Sequence, residues 1–497
     1  MSGKKPNFTR RQILRGGLAS TLLRKTMAGL PAVSLASRIA VAQEKAPPLP
    51  PLPLKTGAKV AFLGDSIIRR GHANASPREM SSLARGEHFW AKVYDQRFRI
   101  ETWFDPEDPY GRGGAKIEKG PGFNGANQGI DGEHAVAEFT VPGTLARVPY
   151  TLSKNPDIVL LHVGTNDINS GTDEKTLIDR LEQNLAAIRA GGKWAIISTI
   201  YPRATTGQYA WPAGHIKWKR RRAVNDYIKG LAGRDGIMVF DPNPLLANPG
   251  SSGDEQELRP GFSTDGGHPN ARGAEPAGKA LAALLAKMIS PGSVIETDPT
   301  KSNLLQYARM AGASAPSGTQ ITGTLAANWF SFMSGQSAVA CSKEAGENGI
   351  EKQVLAFTPA NDGGAARQDT FTLAHADIVP ASVGLNANEW VQFGGFLEVS
   401  PWDGWVAHFC QFAQRQGRDV LWGAAAGKPA GRDLEQMPVE GFSGWWYSDP
   451  VQIVADVDRV RLTFSVEIAK SATGSGTIKI SRPFLRKVAD PRLDWKA

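Results

Sequence analysis

The chain has 497 residues, 41% of them hydrophobic and 21% charged, which excludes a disordered chain, a collagen-like repeat and a polytopic membrane protein. At roughly 100–200 residues per domain, that length predicts two or three domains, each able to bury its own core. The formal charge of +9 invites a nucleic-acid or anionic-membrane partner only if the charge belongs to the folded part.

Residues 1–42 hold Lys4, Lys5, Arg10, Arg11, Arg15, Arg24, Lys25 and Arg38 and no Asp or Glu. Eight of the nine net charges therefore fall there, and no nucleic-acid partner is expected. Thr9-Arg10-Arg11-Gln12-Ile13-Leu14-Arg15 precedes a weakly apolar stretch, Met27 to Ala36, and then Ala40-Val41-Ala42, a small-x-small cleavage site. The segment resembles a twin-arginine export signal, which implies the twin-arginine export machinery as a partner and a periplasmic or secreted mature protein. Lys25 and Arg38 interrupt the apolar stretch, and no other run reaches about 18 apolar residues, so the mature chain is expected to have no integral membrane span. Residues 43–54, with Pro47, Pro48, Pro50, Pro51 and Pro53, read as a stiff linker.

From residue 55 to 290 short apolar runs alternate with helical periodicity. Val60–Leu63, Ile158–Leu161, Ala195–Ser198 and Ile237–Phe240 read as buried strands. Leu177, Leu181, Leu185 and Ile188 mark one face of a helix capped by Thr172 or Asp173, and 218–231 and 271–289 give two more. This alternation predicts a parallel α/β sheet with helices on both faces. The Gly-rich stretch from Tyr110 to Gly132 reads as a long surface loop. Residues 300–497 instead show short alternating runs with Gly and Pro turns, the pattern of an all-β sandwich. Cys341 and Cys410 lie there, and a disulfide and two buried free thiols fit equally well.

Four ordered motifs stand at predicted strand ends: Gly64-Asp65-Ser66-Ile67, Asn127-Gln128-Gly129-Ile130-Asp131-Gly132, Gly164-Thr165-Asn166-Asp167 and Asp265-Gly266-Gly267-His268-Pro269-Asn270. Together they resemble the SGNH (GDSL-type) hydrolases, a likeness covering roughly residues 55–290. It implies a flavodoxin-like three-layer α/β domain that cleaves esters without metal or other cofactor. Ester hydrolysis needs an activated hydroxyl and donors for the developing oxyanion. By resemblance, Ser66 is the nucleophile, His268 its base and Asp265 the residue that orients the base. The oxyanion hole is then the Ser66 N–H, the Gly132 N–H and the Asn166 amide, with Gly129 the alternative donor in the same loop. A β-carbon at Gly132 is expected to crowd that pocket. His162, within an apolar run, reads as a packed strand residue, and the remaining histidines form no metal-ligand spacing. Arg69 and Arg70 follow Ser66, where they fit either the mouth of a site for an anionic or polar substrate or a solvated helix start.

Eight of thirteen tryptophans follow residue 300. Trp402, Trp405, Trp445 and Trp446, set among Gly, Asp and Ser, are the candidates for exposed sugar-stacking positions. The start Asn303-Leu304-Leu305 with Gly323 to Trp329, and the ending Ile478 to Pro483, loosely resemble carbohydrate-binding jelly rolls, and substrate binding is expected through those four tryptophans. The combined expectation is an exported serine esterase acting on acyl esters, acetyl foremost, of a polysaccharide. The alternatives are a lipase or thioesterase of the same family and a non-catalytic glycan-binding envelope protein.

Overall fold

The computed structural model describes residues 47–73, 79–110, 120–137, 142–251, 253–361, 368–428 and 436–496. Residues 1–42, expected from the sequence to be an export signal, and the first residues of the proline-rich linker lie outside them.

In chain order come β1 (Ala58–Gly64), α1 (Ser66–Arg69), β2 (Glu79–Leu83), α2 (Glu87–Tyr94) and β3 (Phe98–Arg99). The hairpin β4 (Thr102–Asp108) and β5 (Gly120–Gly125) follows, then β6 (Asn127–Gly129) and α3 (Gly143–Leu152). Next are β7 (Ile158–His162), α4 (Thr165–Asn169), α5 (Glu174–Ala190), β8 (Trp194–Ser198) and α6 (Ile216–Gly230). β9 (Ile237–Phe240), α7 (Asn243–Leu246) and α8 (Ala271–Met288) complete this part. The central sheet runs β3-β1-β7-β8-β9, with β6 alongside the last three residues of β1, and every pair is parallel.

Both faces of this sheet are covered, which is why its strands are continuous apolar runs rather than alternating ones. Val60, Phe62, Ile158 and Leu160 pack with Leu281 and Leu285 of α8 on one side. Leu63, Val159 and Leu161 pack on the other side with Leu177, Leu181, Leu185 and Ile188, the expected stripe of α5. Asp173 caps α5 by accepting from Thr176 N at 2.9 Å.

The Gly-rich stretch is not a simple surface loop, since its described part contains β5 and β6. Its glycines make room for close neighbours: a Cβ at Gly122 would lie 2.4 Å from Asp108 Oδ2, and one at Gly129 would lie 2.2 Å from Arg69 N. Residues 111–119 lie outside the description.

The C-terminal part is built from two sheets. One runs Ile321–Gly323, Ala338–Ala345, Glu351–Thr358, Gly476–Val488, Trp390–Val399, Phe442–Tyr447, with Val451–Gln452 paired onto Trp390–Val399. The other runs Trp329–Ser334, Gln368–His375, Arg459–Ala469, Trp405–Gln416, Asp419–Lys428, and its sixth strand is β2. β2 lies parallel to Asp419–Lys428, with Ser82 opposite Ala426. The sheets share one core, in which Phe357 meets Phe371 at 5.6 Å and Phe393 meets Phe412 at 5.4 Å. Phe89, Trp90 and Val93 of α2 belong to that same core. Cys341 and Cys410 are both free thiols within it, and burial pushes the Cys341 thiol up to about 12.

The four tryptophans expected at the surface are buried: Trp402 is 7% exposed, Trp405 1%, Trp445 7% and Trp446 0%. Trp402 Nε1 donates to Thr473 O, Trp405 Nε1 to Ser400 O and Trp446 Nε1 to Ala426 O, at 2.7–2.9 Å. The neighbouring glycines are spacers for the rings rather than marks of exposure. A Cβ at Gly404 would stand 2.3 Å from the Trp402 ring, and one at Gly427 would stand 2.1 Å from the Trp446 ring. Of the four, Trp445 borders an open cavity of about 480 Å³, lined also by Phe396, Lys352, Glu398 and Arg482.

Candidate active site

β1 delivers its end residues to the carboxyl edge of the sheet, where open α/β folds bind ligands. Gly64 is required there by close approach, because a Cβ would lie 2.2 Å from His162 O on β7. Asp65 caps α1 by accepting from Ile67 N at 2.9 Å, which leaves Ser66 as the first helical residue. Later in the chain Asn270 caps α8 through Gly273 N at 3.0 Å, fixing the loop just before it.

That loop brings His268 Nε2 to 2.8 Å from Ser66 Oγ and His268 Nδ1 to 2.8 Å from Asp265 Oδ2. A carboxylate only accepts, so Nδ1 carries the proton and Nε2 of the neutral ring is free to accept from Ser66. The second oxygen, Asp265 Oδ1, accepts from the N–H groups of Gly267 (2.9 Å) and His268 (2.8 Å). Burial alone would push the Asp265 carboxyl up, but its hydrogen bond to His268, the His268 charge and these N–H donors hold it well below the usual carboxylate range. His268 is shifted down, first by burial and then by the charges of Arg70 and Arg203, with Asp265 opposing. The Tyr209 ring stands edge-on to His268 at 5.0 Å.

Asn166 follows β7 at the start of α4, and its Nδ2 donates to Glu133 O at 3.0 Å. Asp167 pins the same loop by accepting from Ala135 N at 3.0 Å and from Arg180 at 2.8 Å. Arg147 closes it by ion pairing with buried Glu133. Gly132 lies at the head of this loop with φ +76°, and a Cβ there would meet no protein atom within 4 Å. Backbone conformation, not crowding, is therefore what requires glycine at 132. Gly129 N donates to Asn127 Oδ1 at 3.0 Å, so its N–H is already engaged. His162 packs in β7 against Tyr201, 2% exposed.

Arg70, Arg203 and Tyr209 are site residues that the motifs did not reveal. Arg70 Nη1 pairs with Asp265 Oδ2 at 3.0 Å, so it is neither a solvated helix start nor free at the mouth. Arg69 lies 3.6 Å from Asp131. Arg203 is buried, bonds Thr165 Oγ1 at 3.3 Å and passes so close to Gly267 that a Cβ there would stand 1.8 Å from Nη1. Arg70 lies four residues after Ser66, hence on the same helical face. That spacing was the available signal for Arg70, whereas nothing local marks Arg203.

Residues 62–275 match the model of the GDSL-like Lipase/Acylhydrolase family. The chain thus carries a GDSL domain with a parallel-sheet α/β core, followed by a region rich in β strands. A GDSL-like lipase from Bacteroides thetaiotaomicron is 15% identical over 46% of this chain and 87% of its own, with a TM-score of 0.30. A member of the lipolytic protein G-D-S-L family from Veillonella parvula is 18% identical over 46% and 96%, with a TM-score of 0.29. A carbohydrate esterase family 3 protein from Talaromyces cellulolyticus is 21% identical over 46% and 96%, with a TM-score of 0.28. No curated protein matches the chain.

Proposed function

We propose that the chain is an exported serine esterase that removes acyl groups, acetyl foremost, from a polysaccharide. The observation that carries the reading is the unbroken hydrogen-bond chain from Ser66 Oγ through His268 to Asp265. Ser66 Oγ attacks the ester carbonyl carbon as its proton passes to His268 Nε2. The tetrahedral oxyanion is met by the N–H groups of Ser66 and Gly132 and by Asn166 Nδ2. Its collapse breaks the bond to the alcohol, which leaves with the proton from His268. Water then attacks the acyl-Ser66 carbonyl, giving its proton to His268, and the acid departs as Ser66 is restored. Asp265 keeps the imidazole in its tautomer and stabilises the imidazolium.

The polysaccharide part of the reading is supported by the cavity beside Trp445 and Phe396, where aromatic rings adjoin the Lys352–Glu398 pair (2.8 Å). Rings of this kind stack on the apolar faces of sugars, and charged pairs hydrogen-bond their hydroxyls. Export is supported by the Arg10-Arg11 segment and the Ala40-Val41-Ala42 site.

A fluorophosphonate probe tests the chemistry on the full chain. Labelling should appear in wild type and vanish in Ser66→Ala, and equal labelling of both would falsify the reading. Acetate release from acetylated polysaccharide, set against hydrolysis of long-chain acyl esters, separates the glycan assignment from lipid hydrolysis.

A further inference from the structure

Arg70 closes the turn that carries Ser66. Its N–H donates to Ser66 O at 2.9 Å, and its own carbonyl accepts from Arg85 Nε at 2.9 Å. From this fixed base the guanidinium stands over the Tyr209 ring at 5.8 Å and donates through Nη1 to Asp265 Oδ2 at 3.0 Å. Asp265 Oδ2 is also the oxygen that accepts from His268 Nδ1. The two side chains are only 25% and 21% exposed, so water screens the contact incompletely.

We infer that Arg70 is a positioning residue of the triad, which shares Asp265 Oδ2 with His268 and sets the acid limit of the reaction. The inference rests on the esterase reading. In the resting state a neutral His268 and a permanent guanidinium both donate to one carboxylate. When His268 takes a proton, the imidazolium faces Arg70 across that shared oxygen. Arg203 adds a second positive charge from the loop after β8. Asp265 is the carboxylate opposing them, while Ser66 and Tyr209 face the ring as neutral groups. Asp65 acts on Arg203, and Asp131 faces Arg69. The balance disfavours the imidazolium in the same direction as burial of the ring. His268 therefore stays neutral, and able to accept from Ser66, in more acidic solution than a triad without the arginine.

The test is the pH profile of kcat/KM on a soluble aryl acetate for full-length wild type, Arg70→Gln and Arg70→Lys. In Arg70→Gln the acid limb should move up by about one pH unit. On that limb, kcat/KM then falls roughly tenfold relative to wild type. Arg70→Lys keeps the charge and should leave the limb near its wild-type position. An Arg70 that served only as structure would lower kcat/KM at every pH without moving the limb. That result, or equal movement in the Gln and Lys variants, overturns the inference. A wild-type chain that neither hydrolyses the acetate nor takes the fluorophosphonate fails differently, against the esterase reading itself.

Discussion

His72 Nε2 stands 3.0 Å from Asp449 Oδ2, although the two residues belong to opposite ends of the chain. Lys92 of α2 reaches the other oxygen of the same carboxylate at 3.3 Å, and all three side chains are buried. On its far side His72 Nδ1 accepts from Asn127 Nδ2 at 2.8 Å, and Asn127 Nδ2 also donates to Ile68 O of α1 at 3.1 Å. A continuous polar path thus runs from the C-terminal region to the helix that begins at Ser66. The C-terminal region is part of the support of the candidate site, whatever it binds.

Replacing Asp449 by Asn should destabilise the chain by about 3–5 kcal/mol, because Lys92 is left buried without its carboxylate. Burial alone would push the Asp449 carboxyl up, but Lys92 and His72 together bring it down to about 2. A depressed carboxylate contributes stability above its unfolded value near 3.8 and loses it as pH falls through the folded one. Urea unfolding should therefore show a constant gap between wild type and variant from about pH 5 to 8, narrowing as pH falls toward about 2. A gap that closes already near neutrality would contradict the assignment.

Residues 47–299 expressed alone should not yield a stable soluble domain. β2 would lose its pairing partner Asp419–Lys428, and Phe89, Trp90 and Val93 would lose the core they share with the sheets. Exposing those three side chains forfeits about 1.5–3 kcal/mol each. That is a large share of the roughly 5–15 kcal/mol by which native proteins are stable. Soluble yield and limited proteolysis of the fragment are the measurements, and a well-folded fragment would show that the shared core is dispensable.

The sequence made the α/β part legible because its signals are local. Leu177, Leu181, Leu185 and Ile188 carry their own periodicity, and Asp65-Ser66 and Asp265–His268 occupy strand and helix ends whose chemistry is written in adjacent residues. The remainder depends on distant neighbours. Nothing in Glu79–Leu83 announces a strand that pairs with residues some 340 positions away. β5 and β6 are strands in spite of their glycines, whose value lies in what presses against them. The same cause misplaced Trp402, Trp405, Trp445 and Trp446, since Gly404 and Gly444 beside them in the chain suggested exposure and instead make room for the Trp402 ring and for Val93. Arg70 was visible as a charge but not as a partner of Asp265, which stands 195 residues away.

Trp446→Ala should behave as a core truncation, costing about 3–5 kcal/mol. Its ring packs edge-on against Phe89 (4.7 Å) and Trp90 (5.3 Å), so the loss reaches α2. Under the glycan reading, Trp445→Ala should instead weaken retention in a gel containing soluble acetylated polysaccharide, because Trp445 borders the open cavity. Thermal melting and gel mobility, measured on both variants, separate the two roles. Loss of retention confined to Trp446→Ala would place sugar contact away from the cavity.

Asn166→Ala should lower kcat by about 10²–10³-fold with little change in KM, as expected for a donor engaged mainly by the oxyanion. The amide has two hydrogens, and Glu133 O takes one at 3.0 Å, leaving the other for the reaction. Removing the side chain also unties Asn166 from the loop that carries Gly132. Gly132→Ala isolates that second effect, since its Cβ meets no protein atom but its φ of +76° strains an L-residue. The strain is worth about 1–2 kcal/mol and displaces the Gly132 N–H from its position. Steady-state kinetics on a soluble acetate ester should then show both variants reduced in kcat, with the double variant losing less than the product of the two. Fully multiplicative losses would mean that Asn166 and the Gly132 loop act independently.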